Sequence, residues 1–219
     1  MKGKGLENVS PRLWNDYSSL TVLDLSENPK LGEAGIPDEF ALMANLKSLR
    51  LNQCGLSKLP VGILSSMTDL QTLELAKNNF KTFFDDENIK RSSIKLQSLT
   101  YISLNSNQLT EIPPILQHFT NLKQLHMHMN KITSANILCR DRFSGLEVID
   151  FGSNKLMDIP VALPKFLLNL TQLIIINNDV QKLPNMLGLH KKIKNISVEG
   201  NPLKSIRRPI IAKGSAGIL

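Results

Sequence analysis

The side chains best suited to chemistry in this sequence are two histidines, His126 and His128, which are separated by one residue. Imidazole nitrogens bind zinc and act as general acids and bases, and Asp150 could complete a three-ligand set. Two histidines at this spacing are a weak metal signal without further ligands at fixed intervals. Hydrolysis would require a nucleophile beside His126 and Asp150, and the sequence offers no convincing one. We therefore predict no catalytic residue, no metal and no cofactor, and histidines that serve an interface or respond to pH.

A repeated apolar pattern positions these residues. The signature Leu-x-x-Leu-x-Leu-x-x-Asn-x-Leu occurs eight times in 219 residues, at intervals of 23 to 29 residues. The units begin at Leu20, Leu46, Leu70, Leu99, Leu122, Leu146, Leu170 and Ile193. Apolar residues at every second position predict a short strand with one buried face. A single unit cannot bury that face, so the pattern predicts a leucine-rich-repeat solenoid in which successive units stack.

Two sequence features, an asparagine and a proline, mark where the chain leaves each strand and where it returns. An asparagine follows the strand in seven units, and Cys54 takes its place in the second unit. An amide side chain at that point can bond backbone groups that no strand partner satisfies. Prolines 60, 113, 160 and 184 follow at one fixed offset and rule out a long helix there. We therefore predict an α/β fold with a concave parallel sheet and a convex side of turns and short helical pieces.

The repeats predict one domain that spans residues 1–219. It would contain a partial repeat at 6–19, eight repeats at 20–208 and a C-terminal cap at 209–219. Because the chain begins within a repeat and ends on apolar residues, we expect it to be a fragment of a longer protein. Extra residues at 29–35 and 83–93 stretch two units. They form either solvated insertions or a lip that contacts a partner.

The repeat unit resembles a known family. Units of 23 to 24 residues that end in Ile-Pro or Leu-Pro resemble the intracellular, Ras-group type of leucine-rich repeat. The segment 198–214 resembles the terminal motif of leucine-rich-repeat-containing protein 40 and its relatives, where the motif closes the repeats and continues into a short helix. The resemblance implies the repeat fold and an intracellular location, and it supplies no catalytic residues. The uneven length of the third unit leaves the subfamily open.

The exposed strand positions are where function is expected. In the first units Asp24, Arg50 and Glu74 predict a self-paired charge ladder, since neighbouring strands lie about 4.8 Å apart. Later units replace these charges with aromatic, imidazole and aliphatic side chains, a composition typical of partner sites. The predicted partner-binding residues on the concave face are Tyr101, His126, His128, Met129, Asp150, Ile174 and Ile176. The alternative is that a cap or a missing region covers the two isoleucines.

Net charge concentrates at the C-terminal end. The formal net charge is +7, and residues 180 onward carry eight lysines and arginines against one acidic residue. The basic end comprises Lys191, Lys192, Lys194, Lys204, Arg207 and Arg208. It could contact an acidic protein, nucleic acid or acidic lipid. Nucleic acid is disfavoured because no aromatic side chain accompanies the basic residues.

These observations together predict a non-enzymatic scaffold that binds a protein on its concave face. The partner would be an unidentified protein, for example a small GTPase or another signalling protein. Two alternatives stay open: a regulatory or targeting module of a larger enzyme, and acidic-ligand binding by the basic end. We expect no membrane span, because no apolar run has the necessary length. Two unpaired cysteines and the lack of a signal peptide or of cysteine-rich caps favour a cytoplasmic location.

Overall fold

The computed structural model describes residues 1–9, 19–83, 94–204, 206, 208–211 and 214–218. The chain forms two compact units, the first comprising Met1–Gln108 with His118–Asn121 and the second Leu109–Gln117 with Leu122–Leu219. Most of the predicted partial repeat at 6–19 and most of the insertion at 83–93 lie outside the described residues.

Each unit contains four short parallel strands that pair in register. The first unit has β1 (Val22–Asp24), β2 (Ser48–Arg50), β3 (Thr72–Glu74) and β4 (Tyr101–Ser103). The second has β5 (Gln124–His126), β6 (Val148–Asp150), β7 (Gln172–Ile174) and β8 (Asn195–Ser197). The central residue of each strand is buried, and within each unit it pairs with its equivalent in the next strand. The predicted leucine-rich-repeat solenoid fold is therefore confirmed.

The consensus asparagines hold successive repeats together. Asn154 Nδ2 donates to the carbonyl oxygens of Phe151 in its own repeat (3.0 Å) and Met127 in the preceding one (2.9 Å). Its Oδ1 atom accepts from the backbone N–H of Ile132 (3.0 Å). Asn178 makes the equivalent three bonds one repeat later. The side chain thus satisfies buried backbone groups that the strands leave unpaired.

Cys54 replaces this asparagine where the preceding repeat is stretched. Its thiol donates to the carbonyl oxygen of Leu25 at 3.2 Å, which reproduces one bond of the asparagine pattern. A thiol is a poor acceptor, and here the preceding turn is rebuilt as the helix Leu31–Ala34. That helix packs closely on the second repeat, since a Cβ atom on Gly32 would lie 2.1 Å from the carbonyl oxygen of Gly55.

A left-handed residue precedes the consensus asparagine in each turn. The seven non-glycine examples have φ angles of 52° to 62°: Glu27, Gln53, Lys77, Ser106, Met129, Ser153 and Asn177. Gly200 occupies the same place in the last repeat with φ +75°. Met129 therefore belongs to a turn, and its side chain is exposed there (54 %) rather than aligned with the strand residues. This differs from its predicted place among the strand-face residues.

The return segments are short helical pieces, as the prolines predicted. The carbonyl oxygens of Pro60, Pro113, Pro160 and Pro184 each accept the backbone N–H three residues later, so each proline begins a tight turn. The α-helical turns are Leu31–Ala34, Gly62–Ser66, Leu163–Phe166, Arg208–Ile211 and Ser215–Ile218. The 3₁₀ turns are Asp38–Leu42, Pro114–His118, Asn136–Leu138, Asp141–Phe143 and Asn185–Leu189.

The last helical turn protects the free edge of β8. The hydroxyl of Ser215 accepts from the backbone N–H of Ile196 (2.9 Å) and donates to its carbonyl oxygen (3.2 Å). The Ser215 side chain thus hydrogen-bonds backbone groups at the edge of β8 that would otherwise be available to another strand.

Candidate protein-binding face of the second unit

The exposed strand positions of the second unit form three short rows, which we call the second-unit strand face. The rows are Gln124, Val148, Gln172 and Asn195; His126, Asp150, Ile174 and Ser197; and His128, Gly152, Ile176 and Glu199. Pairing in register places His126 beside Asp150, Asp150 beside Ile174 and Ile174 beside Ser197. Five of the predicted binding residues therefore lie on one continuous surface.

Gly152 shapes the centre of this face. A Cβ atom at this position would lie 2.5 Å from Nδ1 of His128, 3.0 Å from Cγ1 of Ile176 and 3.2 Å from Oδ1 of Asp150. The imidazole and the isoleucine therefore occupy the space that a side chain on residue 152 would fill. The sequence pattern does not reveal this role of Gly152, because only the neighbouring strands show that the space is needed.

Asp150 is held in place between the two histidine positions. Its Oδ1 atom accepts the backbone N–H of Gly152 at 2.9 Å and lies 3.9 Å from Nδ1 of His128. The carboxylate is mostly buried, whereas the imidazole of His128 keeps about a third of its exposure. The imidazole of His128 therefore lies beside a carboxylate whose position is fixed.

His126 is half-buried on the strand face. Burial lowers its pKa below the usual value of 6.5, and the nearby charge of Asp150 raises it in part. Nε2 lies 3.4 Å from Oε1 of Gln124 on the same strand. His126 is therefore predominantly neutral at pH 7, which suits a contact surface with little charge.

The isoleucines are less exposed than the sequence pattern predicted. Ile174 and Ile176 are half-buried on the strand face, where the prediction had them face solvent. For Ile176 the missing side chain of Gly152 explains part of this burial. Val148, which sequence reasoning did not select, is half-buried in the adjoining row and extends the apolar surface.

The strand face of the first unit is polar and internally bonded. Arg50 Nε lies 3.0 Å from Oε1 of Glu74, and Asn52 Nδ2 donates to Oε2 of the same carboxylate at 2.8 Å. Burial alone would raise the pKa of Asp24, but hydrogen bonds from Ser26 and the charge of Arg50 lower it overall. The Arg50–Glu74 step of the predicted charge ladder therefore forms an ion pair, and Asp24 accepts the backbone N–H of Ser26 at 2.9 Å.

Tyr101 belongs to this first unit, on β4. Burial, with a contribution from the charge of Glu74, raises the pKa of its hydroxyl. The predicted binding set is thus divided: Tyr101 lies in the first unit, and the two histidines, Met129, Asp150 and the two isoleucines lie in the second.

Across the described parts of the chain, no group of three or more histidine, cysteine or acidic side chains is arranged to hold a metal ion. His126, His128 and Asp150 therefore do not form a ligand set, although they lie on adjacent strands.

The basic end is only partly described. Lys191, Lys192, Lys194 and Lys204 are exposed, and Lys192 Nζ donates to Oδ1 of Asn169 at 2.6 Å. Arg207 lies outside the described residues, and the side chain of Arg208 is not among those described. None of the helices in the described ranges has the length and apolar character needed to span a membrane.

Comparison with known proteins supports the repeat fold. Residues 97–140 match the family pattern of leucine rich repeats in two copies. Lumican of Rattus norvegicus is 29 % identical over an alignment that covers 92 % of this chain and 60 % of lumican. Keratocan of Coturnix japonica is 29 % identical over 60 % of this chain and 41 % of keratocan. The chain thus spans about two fifths to three fifths of these curated relatives.

These relatives overturn the predicted cytoplasmic location. Lumican and keratocan are secreted proteoglycans of the extracellular matrix. The prediction used the two unpaired cysteines, and both are indeed free. However, Cys54 is fully buried in a structural turn position, so its reduced state reflects the fold and not the compartment. The intracellular Ras-group subtype and the resemblance to leucine-rich-repeat-containing protein 40 find no support among these matches.

Solved structures with the same fold extend the comparison. A leucine-rich-repeat protein of Leptospira interrogans superposes with a TM-score of 0.69 over 98 % of this chain and 57 % of its own, at 24 % identity. The structure of TLR13 in complex with ssRNA13 gives a TM-score of 0.70 over 91 % of this chain and 28 % of its own, at 26 % identity. The strands, the asparagine turns and the similarity to these proteins together show that the chain has the leucine-rich-repeat fold.

Proposed function

We propose that this chain binds a protein partner through the second-unit strand face and performs no catalysis itself. Leucine-rich-repeat proteins generally mediate protein–protein interactions, which supports the general class of function. The single observation that carries the specific site is the arrangement around Gly152, where His128 and Ile176 fill one space beside Asp150.

The composition of the face favours a protein over a small ligand. Val148, Ile174 and Ile176 supply apolar area that is only half-buried, and His126 adds a largely neutral ring. Fixed polar groups at Asp150 and His128 provide directional contacts within that area. Apolar centres with a few oriented polar groups are typical of protein interfaces.

The contrast between the two units supports this assignment. On the first strand face, Arg50, Asn52 and Glu74 are bonded to one another, so a partner would have to compete with existing contacts. The second face has fewer charges and more apolar area to remove from water.

Affinity capture with matched variants tests the proposal. We would capture partners from extract and medium of cells that produce the protein, using the wild-type chain, Ile174→Lys and Met157→Lys. Met157 is an exposed methionine of the same unit (65 %) that lies outside the strand face. Ile174→Lys should weaken capture of the partner about tenfold, as expected for loss of an interface hot spot. Equal capture by all three folded proteins would contradict the proposed face.

A further inference from the structure

The second unit exposes its largest apolar side chains on the return segments and not on the strand face. Leu189 ends the 3₁₀ turn Asn185–Leu189 and is 72 % exposed, and Leu168 follows the helical turn Leu163–Phe166 and is 59 % exposed. Neither leucine occupies a consensus position of the repeat, so stacking of the repeats does not require them. Large apolar residues that are exposed together indicate an interaction surface.

These two leucines belong to one cavity, which we call the return-side cavity. Its volume is about 320 Å³, and Pro164 and Met186 complete its apolar lining. The remaining lining residues are Lys165, His190, Lys191 and Lys192. The lining thus combines an apolar floor with lysines and contains no carboxylate.

His190 fixes the wall of this cavity. Its Nδ1 atom accepts the backbone N–H groups of Lys192 and Ile193, both at 3.2 Å. Its Nε2 atom lies 3.0 Å from the carbonyl oxygen of Leu167, to which it donates. The three lysines supply the formal positive charge of the lining. The ring also ties two successive return segments together.

We propose that the return-side cavity binds an acidic peptide segment of a protein partner. One large apolar side chain of that segment would occupy the space between Leu168 and Leu189, and flanking carboxylates would pair with Lys165 and Lys191. The lining has lysines and no carboxylate of its own, which makes its charge complementary to such a segment. A concave site of this volume accepts an inserted side chain.

This site is distinct from the second-unit strand face, because all of its lining residues lie on the return segments between strands and none lies on a strand. It therefore does not depend on the strand-face proposal. A single partner could use both surfaces, and each can be disabled without mutating the other.

A binding assay with a defined probe tests the proposal. The probe is a short dye-labelled peptide with one phenylalanine flanked by glutamates, measured by fluorescence anisotropy against the complete 219-residue chain. Comparison peptides replace the phenylalanine with serine or the glutamates with lysines. Vesicles that contain phosphatidylserine provide the membrane arm of the experiment.

The protein variants are Leu189→Gln and Lys165→Glu, with Met157→Gln and Lys155→Glu as matched controls. The control positions are exposed residues of the same unit that do not line the cavity. Both cavity variants should weaken binding of the acidic peptide about tenfold, and both controls should bind within about twofold of wild type. Added salt should weaken binding, since the lysines are exposed.

Absence of measurable peptide binding would overturn the proposal, as would equal binding by Leu189→Gln and wild type. Binding to vesicles that depends on Leu189, without binding to the peptide, would replace it with a membrane contact. Unchanged thermal unfolding of the four variants shows that each result reports the surface and not the fold.

Discussion

The Nδ1 atom of His128 lies 3.9 Å from Oδ1 of Asp150 in the next repeat of the second unit. Neither residue belongs to the repeat consensus, and Gly152 gives them room by lacking a side chain. Both groups keep some contact with solvent, so their mutual attraction is worth at most about 1 kcal/mol. Their importance is therefore positional, because they place a directional polar pair beside an apolar patch.

Replacing Gly152 with alanine should disrupt this arrangement. The new Cβ atom would lie 2.5 Å from the imidazole of His128 and would force that ring to move. We expect a loss of about 1–3 kcal/mol in the free energy of unfolding, as is common for overpacked sites. Denaturant unfolding measures this loss, and the double variant Gly152→Ala/His128→Ala, which lacks the imidazole that the new Cβ atom meets, should recover part of it. Equal stability of Gly152→Ala and wild type would refute the described packing.

The pKa of His126 should lie below 6.5 and should fall further in Asp150→Asn. Burial lowers the value, and the charge of Asp150 raises it in part, so removing that charge leaves burial uncompensated. Proton NMR titration of the imidazole, assigned with His126→Gln, measures both values. A higher pKa in Asp150→Asn would show that the two groups do not interact as described.

The same shift predicts a pH dependence of stability. Because the folded pKa of His126 is lowered, the unfolded chain binds the proton more readily. The free energy of unfolding should therefore decrease as the pH falls from about 7 through 6.5 to the folded pKa, and this contribution should level off below that pKa. His126→Gln should lack this contribution. An identical pH profile for His126→Gln and wild type would contradict it.

Asn154→Ala should destabilise the second unit strongly. The substitution removes four hydrogen bonds. It leaves the buried N–H of Ile132 without its partner and takes one of two amide donors from the carbonyl oxygens of Met127 and Phe151. We expect a loss of about 2–4 kcal/mol in unfolding free energy. The control is Asn185→Ala, which replaces an exposed asparagine. Comparing the thermal unfolding of the two variants separates the loss of buried hydrogen bonds from the loss of any asparagine. A similar small change in both variants would refute the structural role.

The two cysteines should differ in reactivity. Burial raises the pKa of the Cys54 thiol to about 11, and this side chain is inaccessible. At pH 8 only about one thousandth of such a thiol is ionised. Cys139 is partly exposed, so a thiol reagent should modify it first, and Cys54 should react only as the chain unfolds. Mass spectrometry after timed labelling identifies the order, and rapid labelling of Cys54 in the folded protein would be inconsistent with its place in the turn.

Much of the fold could be predicted because the repeat encodes it directly. The positions of Leu125, Ile149 and Leu173 predicted buried strand centres, and the structure confirms them. The prolines predicted tight returns for a physical reason, since they cannot continue a long helix. The single-domain boundaries and the terminal motif stay predictions.

The site was harder to predict because it depends on neighbours that are distant in sequence. The sequence selected His128 and Ile176, but the requirement for glycine at 152 arises only when three repeats lie side by side. Met129 was misplaced because the left-handed turn before the asparagine interrupts the alternation of strand positions. Leu189 was missed because it lies outside the repeat pattern.

Site-specific photo-crosslinking tests the central claim most directly. A benzoylphenylalanine at Gln172, a half-buried position of the second-unit strand face, would be compared with the same group at Lys155, which is exposed outside it. We expect Gln172 to crosslink to a protein partner that Ile174→Lys captures about tenfold less well, and Lys155 not to crosslink to that partner. A partner that crosslinks at Lys155 and never at Gln172 would contradict the proposed face.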